Sequence, residues 1–175
     1  MGLTPAQPRP LGLDGRWEVL PFGDIVAIRN EKIMPSAVAA DTQCVELESI
    51  SQGTGQLLRT AGPPGSAKNR FRAGDVLFGR LRAYLRKFWL ASFDGVCSTE
   101  IWPLIPRGHR VCSEFLHYLV QTTEFVDAAC VSYGTHMPRS DWAVLRQFQV
   151  LIPPLPEQRA IAAELSDVAT RCSTA

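Results

Sequence analysis

No stretch of this chain approaches the roughly 18 consecutive apolar residues that span a bilayer, so no membrane helix is expected. The five cysteines (Cys44, Cys97, Cys112, Cys130 and Cys172) are odd in number, widely spaced and without a Cys-x-x-Cys pair. That argues against a disulfide framework and a zinc site, and suits small buried hydrophobes in a reducing compartment. His109, His117 and His136 form no His-x-x-x-His pair, so no metal is expected. Neither Gly53-Thr54-Gly55 nor Gly62-Pro63-Pro64-Gly65 is followed by Gly-Lys-Ser/Thr, which removes a phosphate-cradling loop and leaves turn chemistry. Cys97-Ser98 lacks the flanks of a known nucleophile turn, and Glu46 and Glu48 lack the partners of a nuclease site. No catalytic residue is assigned. Residues 1–10 hold no apolar core of a secretory signal and no Ser or Thr at position 6, which makes the cytoplasm the expected location.

Net charge is only +1, but it is unevenly spread. Residues 59–110 hold ten basic residues against three acidic, a net of +7, while the remainder, with eight against fourteen, is −6. Such segregation is the pattern of a protein that turns one surface toward a nucleic acid. Solvated cations scattered around the surface would give the same composition. The 175-residue length and 46% hydrophobic content suit one domain with a sizeable core.

In chain order, residues 1–16 are rich in proline and read as a poorly ordered leader. Residues 17–21 predict a short strand and 22–28 a short helix. Residues 44–50 alternate apolar and polar like a half-buried strand, and 51–66 form a loop. A central strand over 75–79 leads into Arg80-Leu81-Arg82-Ala83-Tyr84-Leu85-Arg86-Lys87. As a strand, that run puts Arg80, Arg82, Tyr84 and Arg86 on one face; as a helix it spreads them around the axis. Residues 88–91 and 96–105 predict strands joined by a hairpin turn at Asp94-Gly95. Phe115, Leu116, Leu119 and Val120 mark a helix capped by Ser113, and Phe125, Val126 and Ala129 a second. After a loop over 131–139 come a short helix capped by Ser140 or Asp141 and a strand over 148–152. Sheet and helix mix without strict alternation, which predicts an α+β domain: a compact body with a twisted sheet and packed helices, followed by a C-terminal helix.

The sharpest local signal is Ile152-Pro153-Pro154-Leu155-Pro156-Glu157-Gln158. Three prolines in four residues end both strand and helix, and Pro156 suits the first turn of a new helix. Ile161, Leu165, Val168 and Cys172 then recur at the spacing of a helix-packing seam. This block is similar to the end of a target-recognition domain in the specificity subunit (HsdS) of type I restriction-modification systems, where that family's conserved helix begins. Three further blocks resemble the family's internal ones, in its order: Gly74-Asp75-Val76-Leu77-Phe78-Gly79-Arg80-Leu81-Arg82, Gly95-Val96-Cys97-Ser98-Thr99-Glu100 and Gly134-Thr135-His136-Met137-Pro138-Arg139. The resemblance covers roughly residues 16–170. It implies a recognition domain over 17–153, and a proline hinge with the start of the conserved helix over 154–175.

The implied function is sequence-specific recognition of double-stranded DNA, directing a partner methyltransferase and endonuclease to its site. No S-adenosylmethionine motif is present, so the methyltransferase subunit would bring that cofactor and this chain needs none. Lys68, Arg70, Arg72, Arg80, Arg82, Tyr84, Arg86 and Lys87 are the first candidate DNA contacts, because arginine forks match phosphate and guanine edges. Tyr133, Thr135, His136 and Arg139, on a connector where binding groups concentrate, are the second set. Glu157, Gln158, Ile161, Leu165 and Val168 are the expected partner contacts, toward the methyltransferase or a second copy in a homodimer. In the family the helix is longer and a second recognition domain follows, which leaves a self-pairing half-subunit, a fragment or a remnant open. The contrasting expectation is a non-catalytic protein-interaction remnant that has lost DNA binding. A small cysteine-dependent enzyme is a third.

Overall fold

The computed structural model describes residues 17–131 and 138–173; the leader expected over 1–16 lies outside them. Strand β1 (Glu18–Pro21) pairs antiparallel with β10 (Gln149–Ile152), tying the start of the body to its end. One four-stranded sheet runs in the order β2 (Val26–Ile28), β9 (Ile101–Pro106), β6 (Val76–Gly79) and β7 (Phe88–Leu90). A second runs β3 (Lys32–Ile33), β5 (Lys68–Phe71), β8 (Gly95–Ser98) and β4 (Cys44–Val45). The helices are α1 (Phe22–Ile25), α2 (Ser113–Leu119), α3 (Thr123–Cys130), α4 (Trp142–Leu145) and α5 (Leu155–Ser173). The fold is the expected α+β mixture.

Strand β6 is central because it is apolar on both faces. Val76 and Phe78 pack with Phe22, Leu116, Phe125 and Leu145, while Leu77 packs with Val45, Phe71, Trp89 and Cys97 of the inter-sheet core. Burial on both faces calls for a continuous apolar run, and the sequence has one there.

Four local expectations need correction. Residues 22–28 form one helical turn and then β2. The alternation over 44–50 ends at Val45, because Glu46 and Ser49 form a reciprocal capping box around a 3₁₀ turn at Leu47–Ser49. Asp94-Gly95 is not a hairpin turn between neighbours. Strand β8 leaves for the second sheet, β9 returns to the first, and β7 pairs with β6 instead. Gly95 is required by close approach, since a Cβ there would lie 2.5 Å from the Gln43 carbonyl oxygen. Finally, Cys112 rather than Ser113 occupies the N-cap of α2, whereas α4 is capped by Asp141 as expected.

The proline joint is locked rather than loose. Gln158 is fully buried: its Oε1 accepts from Cys112 N (3.0 Å), and its Nε2 donates to Arg110 O (2.7 Å) and Pro153 O (2.8 Å). Buried Glu157 accepts from the Trp17 indole at 3.0 Å, and Ile161 packs on the main core. These three candidate partner residues hold α5 to its own body. Leu165 and Val168 are 42% and 54% exposed.

His117 lies where α2 meets α5, in a cleft that also exposes Glu114 and Arg159. Its ring abuts Phe88, and its buried Nδ1 has no hydrogen-bond partner. Burial lowers its pKa to about 4. The folded state therefore resists a proton that the unfolded chain accepts at about 6.5, so stability is full above pH 6.5 and falls as pH drops toward 4. The expected loss is about 3 kcal/mol across that window. Urea titrations should show His117→Phe flattening this slope; an unaltered slope would exclude His117 as its source.

Candidate nucleic-acid interface

The arginine run is not the single-faced strand expected. Arg80 is still extended: its N–H donates to Glu100 O (2.9 Å) and its carbonyl accepts from Ser140 N (2.8 Å). Leu81 then bridges Arg139, and Arg82 N donates to Pro138 O at 2.9 Å. Beyond this the chain turns through a 3₁₀ segment, Ala83–Leu85, with Arg82 (φ 53°) and Arg86 (φ 50°) in the left-handed region. Each such non-glycine residue costs on the order of 1 kcal/mol, and strain of this kind collects at functional sites. The turn projects Tyr84, 53% exposed, beside exposed Arg82, which makes no side-chain pairing among the described residues.

The two candidate stretches, far apart in sequence, thus meet along one edge: 80–82 pair with 138–140. Arg139 forms a double hydrogen bond with Glu100 (2.9–3.0 Å), which raises the guanidinium pKa. The pair is solvent-exposed, so it orients Arg139 more than it stabilises the fold. Tyr133, Thr135 and His136 lie outside the described residues.

The structure gives several predicted cations internal work. Lys68 is buried in a 2.6 Å ion pair with Glu46. Lys87 donates to Leu47 O and Ile50 O at 2.6 and 2.9 Å, holding the 3₁₀ turn there. Arg86 donates to Gln121 O at 2.9 Å and Thr123 Oγ1 at 3.3 Å. Arg80 lies 4.9 Å over the Trp102 ring and donates to Ser140 O. Arg70 and Arg72 remain exposed on and beside β5, Arg72 at 3.6 Å from Glu31. The outward set has shrunk to Arg70, Arg72, Arg82, Tyr84 and Arg139.

A neighbouring groove of about 540 Å³ is not legible in the sequence. Its walls include Asn30, Lys32, Thr99, Arg107 and Trp142, and Arg80 and Trp102 also line it. These come from four separated segments, each unremarkable alone; the only signal was a pair of basic residues outside the arginine run.

Burial pushes the thiols of Cys44, Cys97, Cys112 and Cys130 above their ordinary pKa, the wrong direction for nucleophiles. This counts against the cysteine-enzyme reading. Among the described residues no cluster of His, Cys, Asp and Glu could hold a metal ion, and no helix is long and apolar enough to cross a membrane.

The sequence matches the type I restriction modification DNA specificity domain family over residues 15–174. The chain belongs to this family. Membership assigns the domain a general part in DNA recognition, and specificity rather than catalysis. It is 34% identical, over 97 residues, to the EcoDI type I restriction enzyme specificity subunit of Escherichia coli, spanning 55% of this chain and 21% of that protein. In fold it is similar to the HsdS subunit from Thermoanaerobacter tengcongensis, with a TM-score of 0.75 and 23% identity, over 94% of this chain and 45% of that one. The type I S subunit from M. genitalium gives a TM-score of 0.64 at 14% identity, over 94% and 42%. The specificity domain therefore spans less than half the length of these solved relatives.

Proposed function

We propose that this specificity domain reads a particular site on double-stranded DNA and brings a partner methyltransferase to it, that partner supplying S-adenosylmethionine. The observation that carries the reading is the pairing of residues 80–82 with 138–140, which sets Arg82, Tyr84 and Arg139 along one edge. Phosphate contacts from such an edge position a duplex, and groove contacts then select sequence. Fluorescence anisotropy with a mixed-sequence duplex tests it. The double change Arg82→Ala, Tyr84→Ala is expected to weaken binding about 10-fold or more, since one hydrogen bond to a charged group such as a phosphate contributes about 1.5–3 kcal/mol. Unchanged affinity would reject this edge. A protein-interaction domain without DNA binding is the second reading, favoured by the internal pairing of Lys68, Arg86 and Lys87. Absence of any duplex binding would select it.

The partner surface of the proposal is the exposed remainder of the α5 seam, Leu165, Val168 and Cys172. Exposed aliphatic residues at helical spacing suit a second helix, from the methyltransferase or another copy. Leu165→Glu with Val168→Glu is expected to abolish association in size-exclusion chromatography while leaving duplex binding intact. A complex that still elutes at its original volume would refute this face.

A further inference from the structure

We propose that sequence choice is made in the groove beside the arginine edge, with Asn30 and Lys32 as its base-reading residues, directed at the major-groove edge of a purine. This rests on duplex DNA being the domain's ligand. The groove is lined by four basic residues, Arg29, Lys32, Arg80 and Arg107, against one acidic, Glu100. Arg29 is balanced by Asp75 at 2.7 Å and Glu100 by Arg139 at 2.9 Å, so Lys32, Arg80 and Arg107 supply the positive potential. Arg80 lies 4.9 Å over the Trp102 ring, with its Nε buried and without an acceptor. The site is rich in donors and short of acceptors. Purine edges present the complement, O6 and N7 on guanine and N7 on adenine.

The backbone that carries Asn30 and Lys32 is held in place. Both side chains are exposed and make no hydrogen bond or ion pair among the described residues. Their flanks are fixed: Arg29 N donates to Pro103 O (2.8 Å), Glu31 O accepts from Arg70 N (2.7 Å), and the Arg29 guanidinium grips Asp75. Lys32 stands in register opposite Asn69, whose amide donates to Ile101 O at 3.2 Å. Free side chains on a rigid wall suit direct readout, where a displacement of a fraction of an ångström breaks a bidentate contact. An asparagine amide offers the donor and acceptor that match adenine N6 and N7, and a lysine ammonium matches guanine O6 and N7. Strained Arg82 and Tyr84 suit phosphate and sugar instead. The Glu100–Arg139 pair and Arg80 join the two surfaces into one.

The test is selection of bound sites from random duplexes with the 175-residue chain, run for the wild type, Asn30→Ala, Lys32→Ala and Arg82→Ala. The wild type is expected to enrich a purine-containing motif. Asn30→Ala and Lys32→Ala should each lose between about 5- and 150-fold discrimination at one base position while retaining the others. Arg82→Ala should keep the whole motif and bind every site less tightly. Groove variants that enrich the wild-type motif unchanged would overturn the groove assignment and leave DNA recognition standing, as would duplex binding by the wild type with no enriched motif. A wild-type chain that binds no duplex would overturn the reading beneath it.

Discussion

Gln158→Leu is expected to lower the unfolding free energy by roughly 3–5 kcal/mol, a fall in Tm of about 10 °C for a domain of this size. Leucine fills much the same space but strands the Cys112 N–H and the carbonyls of Arg110 and Pro153, all of which Gln158 now satisfies. A buried donor or acceptor left without a partner costs about 1–3 kcal/mol. Gln158→Glu should fall between wild type and leucine only if the Cys112 bond dominates. It keeps that acceptor but sets a carboxylate against two carbonyls, so we expect it to be at least as damaging. Leu165→Ala, on the exposed face of the same helix, is the control and should stay within about 0.5 kcal/mol. Calorimetry decides: equal melting of Gln158→Leu and wild type would mean that α5 is not held as described.

Asp75→Ala is the second large effect. Asp75 is 4% exposed, accepts two bonds from the Arg29 guanidinium (2.7 and 3.0 Å) and a third from Arg72 N at 2.9 Å. The Asp75 hydrogen bond raises the guanidinium pKa above its ordinary value; without it Arg29 still stays charged, because an arginine side chain is not deprotonated in proteins. Arg29 keeps its 3.0 Å pair with Glu31, so the loss should lie toward the lower end of the about 3–5 kcal/mol typical of a broken buried ion pair. A second change, Arg29→Met, should recover much of that loss, because a buried ion pair exchanged for apolar groups of similar volume is often close to neutral. Urea unfolding of the two single variants and the double variant measures this. If Arg29→Met deepens the loss instead of relieving it, the pair is not the unit described. The same contact anchors the flank of Asn30, which ties the stability of the body to the geometry of the groove.

What the sequence discloses and what it hides follow the range of the interactions. Residues 75–79 were legible as a central strand because two-sided burial writes itself as an unbroken apolar run. Helices α2 and α3 are legible from periodicity, α4 from its Asp141 cap and α5 from the prolines before it. The exchange of strands between sheets at Ser98-Thr99-Glu100 was not, since hairpin and crossover share the same local turn chemistry. The run 80–87 alternates like a strand, yet its left-handed residues are held by distant groups: Pro138 O at Arg82, and Gln121 O and Gly53 N at Arg86. The fates of charges were hidden for the same reason. Lys68 finds Glu46 across the second sheet, and nothing in either segment announces it. Gln158 stands in a motif that predicts a partner contact, yet its side chain bonds its own body, because a motif records that a residue is needed but not which surface needs it.

The proposed DNA reading sets the edge carrying Arg82 against a phosphate backbone. Its most direct measurement is the salt dependence of duplex affinity for the wild type and Arg82→Ala. Each neutralised phosphate contributes about 0.9 to the slope of log affinity against log salt concentration. A linear fall is expected for the wild type, and a slope shallower by about one such unit in the variant. Wild-type affinity indifferent to salt, or identical slopes and affinities for the two proteins, would contradict it.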